Sequence, residues 1–248
     1  MVYQGSKNRI SKFLVPIIQK YIDDNNIKTY IEPMVGGANI IDKIVCENKV
    51  GGDINSELIT LLQYIQTDNE ISIAPEICTF EHYSDVRENR RLHTNKYSIE
   101  YTALIGYCAS YGGRYFDGGF ARNSRTDDRN SSTIKYRNNL KNLKSQALHL
   151  NDITFMCCDY KKFADYKDCL FYFDPPYKDT KQYSIQNINY GEFYDFLRQL
   201  SKNNIVLVSE YNMPNDFKCI WQKERKVQQK SDRVAAEKAI EKLFTYRN

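Results

Sequence analysis

The sequence has no CxxC pair and no Cys/His cluster, so it carries neither the ligand spacing of a zinc site nor the pattern of a disulfide framework. Its seven cysteines are odd in number and, apart from the adjacent Cys157 and Cys158, scattered. They read as reduced thiols of a cytoplasmic protein. The three histidines, His82, His93 and His149, share no motif and read as structural or solvent-facing. No apolar run is long enough to span a bilayer, and the opening MVYQGSKNRI lacks the apolar core of a secretory leader. Internal repeats and low-complexity linkers are missing as well, so nothing suggests a repeat array. These absences lead us to expect a soluble, intracellular protein with no metal and no membrane association, working as a monomer or weak dimer.

What is present begins with size. A chain of 248 residues can bury a sizeable core and fits one domain, or one domain carrying an insertion. A net charge of +4 permits a nucleic-acid partner without demanding one. The 20 tyrosines suit surfaces that are half apolar and half wet.

Strand and helix patterns alternate in the first part. Ile10, Phe13, Leu14, Ile17, Ile18 and Tyr21 mark an opening helix, TYIE (29–32) a strand, and NIIDKIVCEN (39–48) a second helix. KVGGD (49–53) ends the next strand, and Ser56 followed by Leu58, Leu61, Leu62 and Ile65 reads as a capped helix. Residues 70–150 break this rhythm with two Gly-Gly pairs and many arginines, and we expect an inserted segment of hairpins and short helices. Alternation resumes with strands at TFMCCD (154–159) and LFYFD (170–174), a helix at 190–203 and a strand at IVLVSE (205–210). CIWQ and EKLFTY supply two more strands. The expected fold is α/β, a parallel sheet with helices on both faces, divided into 1–69 plus 151–248 and an insert at 70–150.

In such a sheet ligands bind outside the carboxyl ends of the strands, so the polar residues there carry the chemistry. Successive strands end in Glu32, Asp53, Asp159 and Asp174. After Glu32 comes Pro33-Met34-Val35-Gly36-Gly37, where paired glycines let the backbone approach a ligand before the chain turns away. Asp53 falls where an acid can take a pair of ribose hydroxyls. A row of acids at strand ends points to a nucleoside-containing ligand. Asp174 is followed at once by Pro175-Pro176-Tyr177, and the two prolines fix φ and donate no N–H, holding the chain rigid just past a carboxylate.

YQGSK (3–7), IEPMVGGAN (31–39), DIN (53–55) and DPPY (174–177), in this order and spacing, resemble the D12-class, Dam-type DNA N6-adenine methyltransferases across nearly the whole chain. The resemblance implies a Rossmann-like S-adenosylmethionine-dependent methyltransferase sheet with an inserted DNA-recognition domain. It implies that Tyr3 and Lys7 contact the cofactor, that Glu32, Pro33, Gly36 and Gly37 form its loop, that Asp53 and Asn55 lie at its ribose and that Asp159 lies near its adenine. It makes Asp174, Pro175, Pro176 and Tyr177 the catalytic turn. The Asp174 carboxylate and a carbonyl of the turn would accept N6–H hydrogen bonds from adenine, and Tyr177 would stack on a base flipped out of double-stranded DNA.

The insert interleaves Arg114, Arg122, Arg125 and Arg129 with Tyr115, Phe116 and Phe120, and we expect DNA contacts from these arginines and Tyr115, with Arg114 as the base reader. ASYGGRYFDGGFARN lacks the asparagine arrangement of relatives that read GATC, so the resemblance does not carry a target sequence over. A methyltransferase acting on an RNA base, a cytosine N4 or a protein glutamine suits a similar acceptor turn. The Asp at its first position favours adenine, since resembling glutamine and RNA enzymes usually have Asn there and cytosine-N4 enzymes Ser. A catalytically silent DNA-binding protein on the same fold is the other alternative, against which the intact Asp174 and Tyr177 argue.

Overall fold

A computed structural model describes residues 1–121, 131–177, 188–226 and 238–246. Its strands are β1 (Thr29–Glu32), β2 (Asn48–Asp53), β3 (Ile153–Cys157), β4 (Leu170–Phe173), β5 (Ile205–Glu210), β6 (Phe217–Lys226) and β7 (Lys238–Tyr246). They form one sheet in the order β3-β2-β1-β4-β5-β7-β6, parallel except for β7, which runs antiparallel to both β5 and β6. The strand order reverses between β1 and β4, which opens a crevice at their carboxyl ends. Asp174 leaves β4 there, beside Glu32 at the end of β1.

Alternation along the central strands sends side chains to two cores. Tyr30, Leu170, Tyr172, Leu207 and Leu243 join one cluster, whereas Ile31, Phe171, Phe173, Val206, Val208 and Phe244 join the other. Every residue of β4 is buried, as expected of a parallel strand covered on both faces. Helix α1 (Ser11–Asp24) buries Leu14, Ile18 and Ile22 in the first cluster, and α2 (Ser56–Thr67) buries Leu58, Leu61, Leu62 and Ile65 there too. Helix α6 (Tyr190–Leu200) covers the other face through Phe193, Leu197 and Leu200.

The structure corrects two local expectations. Residues 39–48 form only a single 3-10 turn, Ile41–Lys43, despite their helical spacing. Backbone groups in and just before this stretch find side-chain partners: Gln146 donates to the Gly37 and Ala38 carbonyls, and the Gln19 amide exchanges two hydrogen bonds with Val45. Side-chain partners of this kind compete with the helical ladder. The cap of α2 is Asn55, whose side chain accepts from Leu58 N at 3.1 Å, and Ser56 is already inside the helix. Of the hairpins and short helices expected at 70–150, the described residues show the helices. The insert holds α3 (Phe80–Leu92), α4 (Ile99–Ala109) and α5 (Ser131–Ala147), and among its described residues the β pairing is one isolated bridge, Ser110 to Phe120. Thr79 and Ser98 cap α3 and α4. Helix α4 is buried from Thr102 to Ala109 and shares the first core with α2.

Candidate active site

A cavity of about 710 Å³ opens at the reversal point. Its lining comes from the loops after β1, β2, β4 and β5, from the segment before α1, from α3, α4 and the loop that follows α4, and from β7. Gly36 has a left-handed φ of 48°, and a Cβ there would lie 2.9 Å from the Tyr3 ring, so the glycine loop and the YQGSK segment lock together only without side chains.

Asp53 ends β2 buried, with a carboxylate that accepts from Gly36 N at 3.1 Å and from Asn55 N at 3.0 Å. Burial pushes its carboxyl above the usual range and the two amides pull it back. Asn55 donates to the Tyr107 hydroxyl at 3.2 Å, which joins the β2 loop to α4. Glu32 is buried and accepts from the Tyr30 hydroxyl at 2.6 Å, and burial holds its carboxyl well above the usual range.

Lys7 Nζ, buried, lies 2.7 Å from Asp174 Oδ1 and 4.0 Å from Glu241 Oε2. The pair with Asp174 is off the line of a good hydrogen bond, so the buried Oδ1 accepts no well-aligned hydrogen bond among the described residues. Burial raises the Asp174 carboxyl, and the Lys7 charge opposes that rise. Lys7 also stands 4.5 Å from the centre of the Tyr177 ring, and Tyr211 packs edge-on against that ring at 4.3 Å. The Tyr177 hydroxyl donates to Glu241 Oε2 at 2.7 Å, and the Tyr190 hydroxyl donates to the Pro176 carbonyl. The turn after β4 is thus held through its backbone and its last ring.

Of the residues singled out from sequence, Tyr3, Lys7, Glu32, Gly36, Gly37, Asp53, Asn55, Arg114, Tyr115, Asp174, Pro175, Pro176 and Tyr177 all line this cavity. Pro33 is buried behind it. Asp159 is exposed outside the lining, where its side chain accepts from Lys161 N at 2.8 Å and caps a 3-10 turn. Tyr115 is half-buried, 4.6 Å from the Tyr107 ring and 4.9 Å from the Arg90 guanidinium, which forms a two-pronged pair with Glu57. Phe116 and Phe120 pack on Tyr83. Gly113, at φ 67°, sits where a Cβ would meet Tyr3 N at 2.8 Å. Gly113 therefore lets the loop after α4 sit against the Val2–Tyr3 backbone at the cavity wall, with exposed Arg114 next to it in the lining. Arg122, Arg125 and Arg129 lie outside the described residues.

Sequence reasoning missed Glu241, Tyr107 and Arg90 as lining residues. Glu241 had a signal: it falls on the same strand parity as buried Leu243, a charged residue on an apolar face.

The family model for D12 class N6 adenine-specific DNA methyltransferases matches residues 3–230. The chain belongs to that family. It is 25% identical to the type II methyltransferase M.MjaIII of Methanocaldococcus jannaschii over 85% of this chain and 83% of that protein. It is 24% identical to the modification methylase StsI of Streptococcus sanguinis over 72% of this chain, which spans 28% of StsI. The solved structure of TrmN from Thermus thermophilus covers 94% of this chain and 48% of its own, with 10% identity and a TM-score of 0.38. The fold assignment rests on the strand order and not on that distant likeness. Among the described residues no group of His, Cys, Asp or Glu is placed to hold a metal ion, and no helix is long and apolar enough to cross a membrane.

Proposed function

We propose that this D12-family enzyme transfers the methyl group of S-adenosylmethionine to N6 of an adenine flipped out of double-stranded DNA. The observation that carries the reading is Asp174 at the strand reversal, a carboxylate that lines the cavity with Lys7 2.7 Å from its Oδ1. The side chain is 23% exposed, so the carboxylate keeps lone pairs for a donor that arrives.

The cavity suits the cofactor. Asp53 is already oriented by two amides and retains lone pairs for a ribose diol. The cofactor supplies a methyl group made electrophilic by a sulfonium cation. The protein then has to make N6 nucleophilic, because the amino lone pair is conjugated into the adenine ring. Asp174 accepts one N6–H hydrogen bond. A carbonyl of the Pro-Pro turn, which the Tyr190 hydroxyl helps to hold through Pro176, accepts the other. Together they favour a pyramidal nitrogen aimed at the methyl group, a contribution of positioning and electrostatics. The Tyr177 ring lines the cavity where a flipped base enters and supplies a stacking surface, with Tyr211 beside it.

Residues 70–150 serve as the DNA-recognition insert in this reading, with Arg114 in the cavity lining as its link to the target. Lys7 and Tyr3 hold the catalytic and cofactor loops in place. The names of M.MjaIII and StsI support a role as the modification partner of a restriction endonuclease. Incubating the protein with methyl-labelled cofactor and mixed DNA, then digesting to nucleosides, tests the reading. Label in N6-methyladenine supports it, and label confined to cytosine, RNA or protein overturns it.

A further inference from the structure

Glu241 lies outside the region matched by the family model, yet it lines the active-site cavity. It reaches the cavity because β7 is reversed. In the antiparallel pairing Lys242 stands opposite Glu210, so the beginning of β7 sits where the parallel strands end. The side chain is 4% exposed, an expensive place for a carboxylate unless it is paired and hydrogen-bonded. Its partners include two members of the site: it accepts from the Tyr177 hydroxyl at 2.7 Å and stands 4.0 Å from Lys7 Nζ, whose nearer partner is Asp174.

The arrangement is one buried lysine between two carboxylates, with an aromatic ring pinned by the second of them. Lys7 now faces Asp174 Oδ1, on the carboxylate that the reaction needs as an acceptor for the target amine. A lone Asp174–Lys7 pair would leave that carboxylate attracted to the lysine, and turning it to the amine would cost the lysine its counter-charge. With Glu241 on its other side, Lys7 retains a counter-charge as it gives Asp174 up. Glu241 also fixes the direction of the Tyr177 ring through its hydroxyl, which a stacking contact alone does not do.

The geometry points to Glu241 as a positioning residue for methyl transfer, one that aims Tyr177 at the flipped base and shares Lys7 so that Asp174 can turn to the target amine. The inference rests on the adenine-methylation reading above. It assigns Glu241 no proton or methyl transfer of its own.

The test compares Glu241→Ala, Glu241→Gln and Tyr177→Phe, alone and combined, in single-turnover methylation of adenine-containing duplex DNA at saturating S-adenosylmethionine. Cofactor affinity is measured by calorimetry and folding by thermal unfolding. Losing one buried hydrogen bond to a charged group, realised in the transition state, corresponds to a fall of roughly ten- to a hundredfold in rate for Glu241→Ala. Cofactor affinity should change by less than about threefold, since the hydrogen bond orients the base side of the cavity. Glu241→Gln keeps an acceptor for Tyr177 without the charge, and it should recover part of the rate. In the Tyr177→Phe background Glu241→Ala should cost less than it does alone, because part of its role is already gone.

A wild-type rate in Glu241→Ala, or a fall in cofactor affinity that accounts for the rate, would overturn the proposal. So would full additivity with Tyr177→Phe. Full recovery in Glu241→Gln would strike out the sharing of Lys7. Should Glu241→Ala fail to fold, the Gln variant, close in volume, decides the matter by its rate and its additivity with Tyr177→Phe. A wild-type chain that methylates no adenine would bring down the functional reading and this inference with it; intact rates in the variants bring down the inference alone.

Discussion

Replacing Asp174 with alanine should do two separable things: abolish methyl transfer and destabilise the fold. Lys7 is 7% exposed and its Nζ lies 2.7 Å from Asp174 Oδ1, so the variant strands a buried ammonium. Removing one partner of a fully buried pair costs about 3–5 kcal/mol. The Asp174 side chain is 23% exposed, however, and solvent screening trims the expected loss to about 2–3 kcal/mol. For a chain of this length that corresponds to a drop in Tm of about 4–12 °C. Glu241, 4.0 Å from Lys7, remains to keep the lysine from being wholly unpaired. The double variant Asp174→Ala, Lys7→Met should lose less than the two single losses added, by about 1–3 kcal/mol, because the stranded charge is then absent. Cofactor affinity of Asp174→Ala should stay within about tenfold of wild type, since its main partner in the reaction is the target amine. Thermal unfolding, calorimetry with S-adenosylmethionine and a methylation assay on duplex DNA read the three quantities. Additive losses in the double variant, or near-normal turnover in Asp174→Ala, would refute the reasoning.

Asp53→Ala removes the acceptor shared by Gly36 N and Asn55 N, and it should weaken cofactor binding by on the order of 1–3 kcal/mol by calorimetry. Glu32→Gln keeps an acceptor for Tyr30 while removing a carboxyl whose folded-state pKa burial raises well above normal. A raised folded value means that the wild type holds this contribution below the unfolded pKa and loses it as pH climbs through the folded one. The variant should therefore gain on the wild type from about pH 5 upward in thermal unfolding, the unfolded Glu value being about 4.3, while its cofactor affinity falls. Arg114→Ala should relax site choice by roughly 1–3 kcal/mol at one base pair, read by methylation mapping on a plasmid, and leave cofactor affinity without DNA unchanged.

The central strands were legible because each is short, apolar and punctuated. TYIE and LFYF are buried along nearly their whole length, and a run of that kind bounded by polar residues has few other places to go. Residues 39–48 were not legible for the opposite reason. Their isoleucines have helical spacing, and Ile40, Ile41 and Ile44 are indeed buried. The backbone around them is claimed by Gln19 and Gln146, the latter more than a hundred residues away in sequence. Periodicity reports which side chains want to be inside; it does not report which amide will take a carbonyl. The insert misled in a similar way. Gly112 and Gly113 read as a hairpin signal, but the second serves a close approach to Val2 and Tyr3, and the aromatics beside it fill a core with Tyr83 and Tyr107.

The active-site row was legible only as far as parallel strands carry it. Glu32, Asp53 and Asp174 each follow an apolar strand, and strand ends that share a direction share an edge of the sheet, so their convergence on one cavity follows from topology. Asp159 obeys the same sequence rule, yet β3 is the edge strand, two places from the reversal, and its acid turns to cap the next backbone turn. Distance from the crevice, which a list of strand ends does not contain, separates it from the other three. Glu241 is the converse. It lies in the first half of β7, and only a reversed strand brings its first half to the edge where the others end. Reading both ends of any strand that could run antiparallel adds its charged residues, here Glu241 and Lys242, to the candidates for that edge.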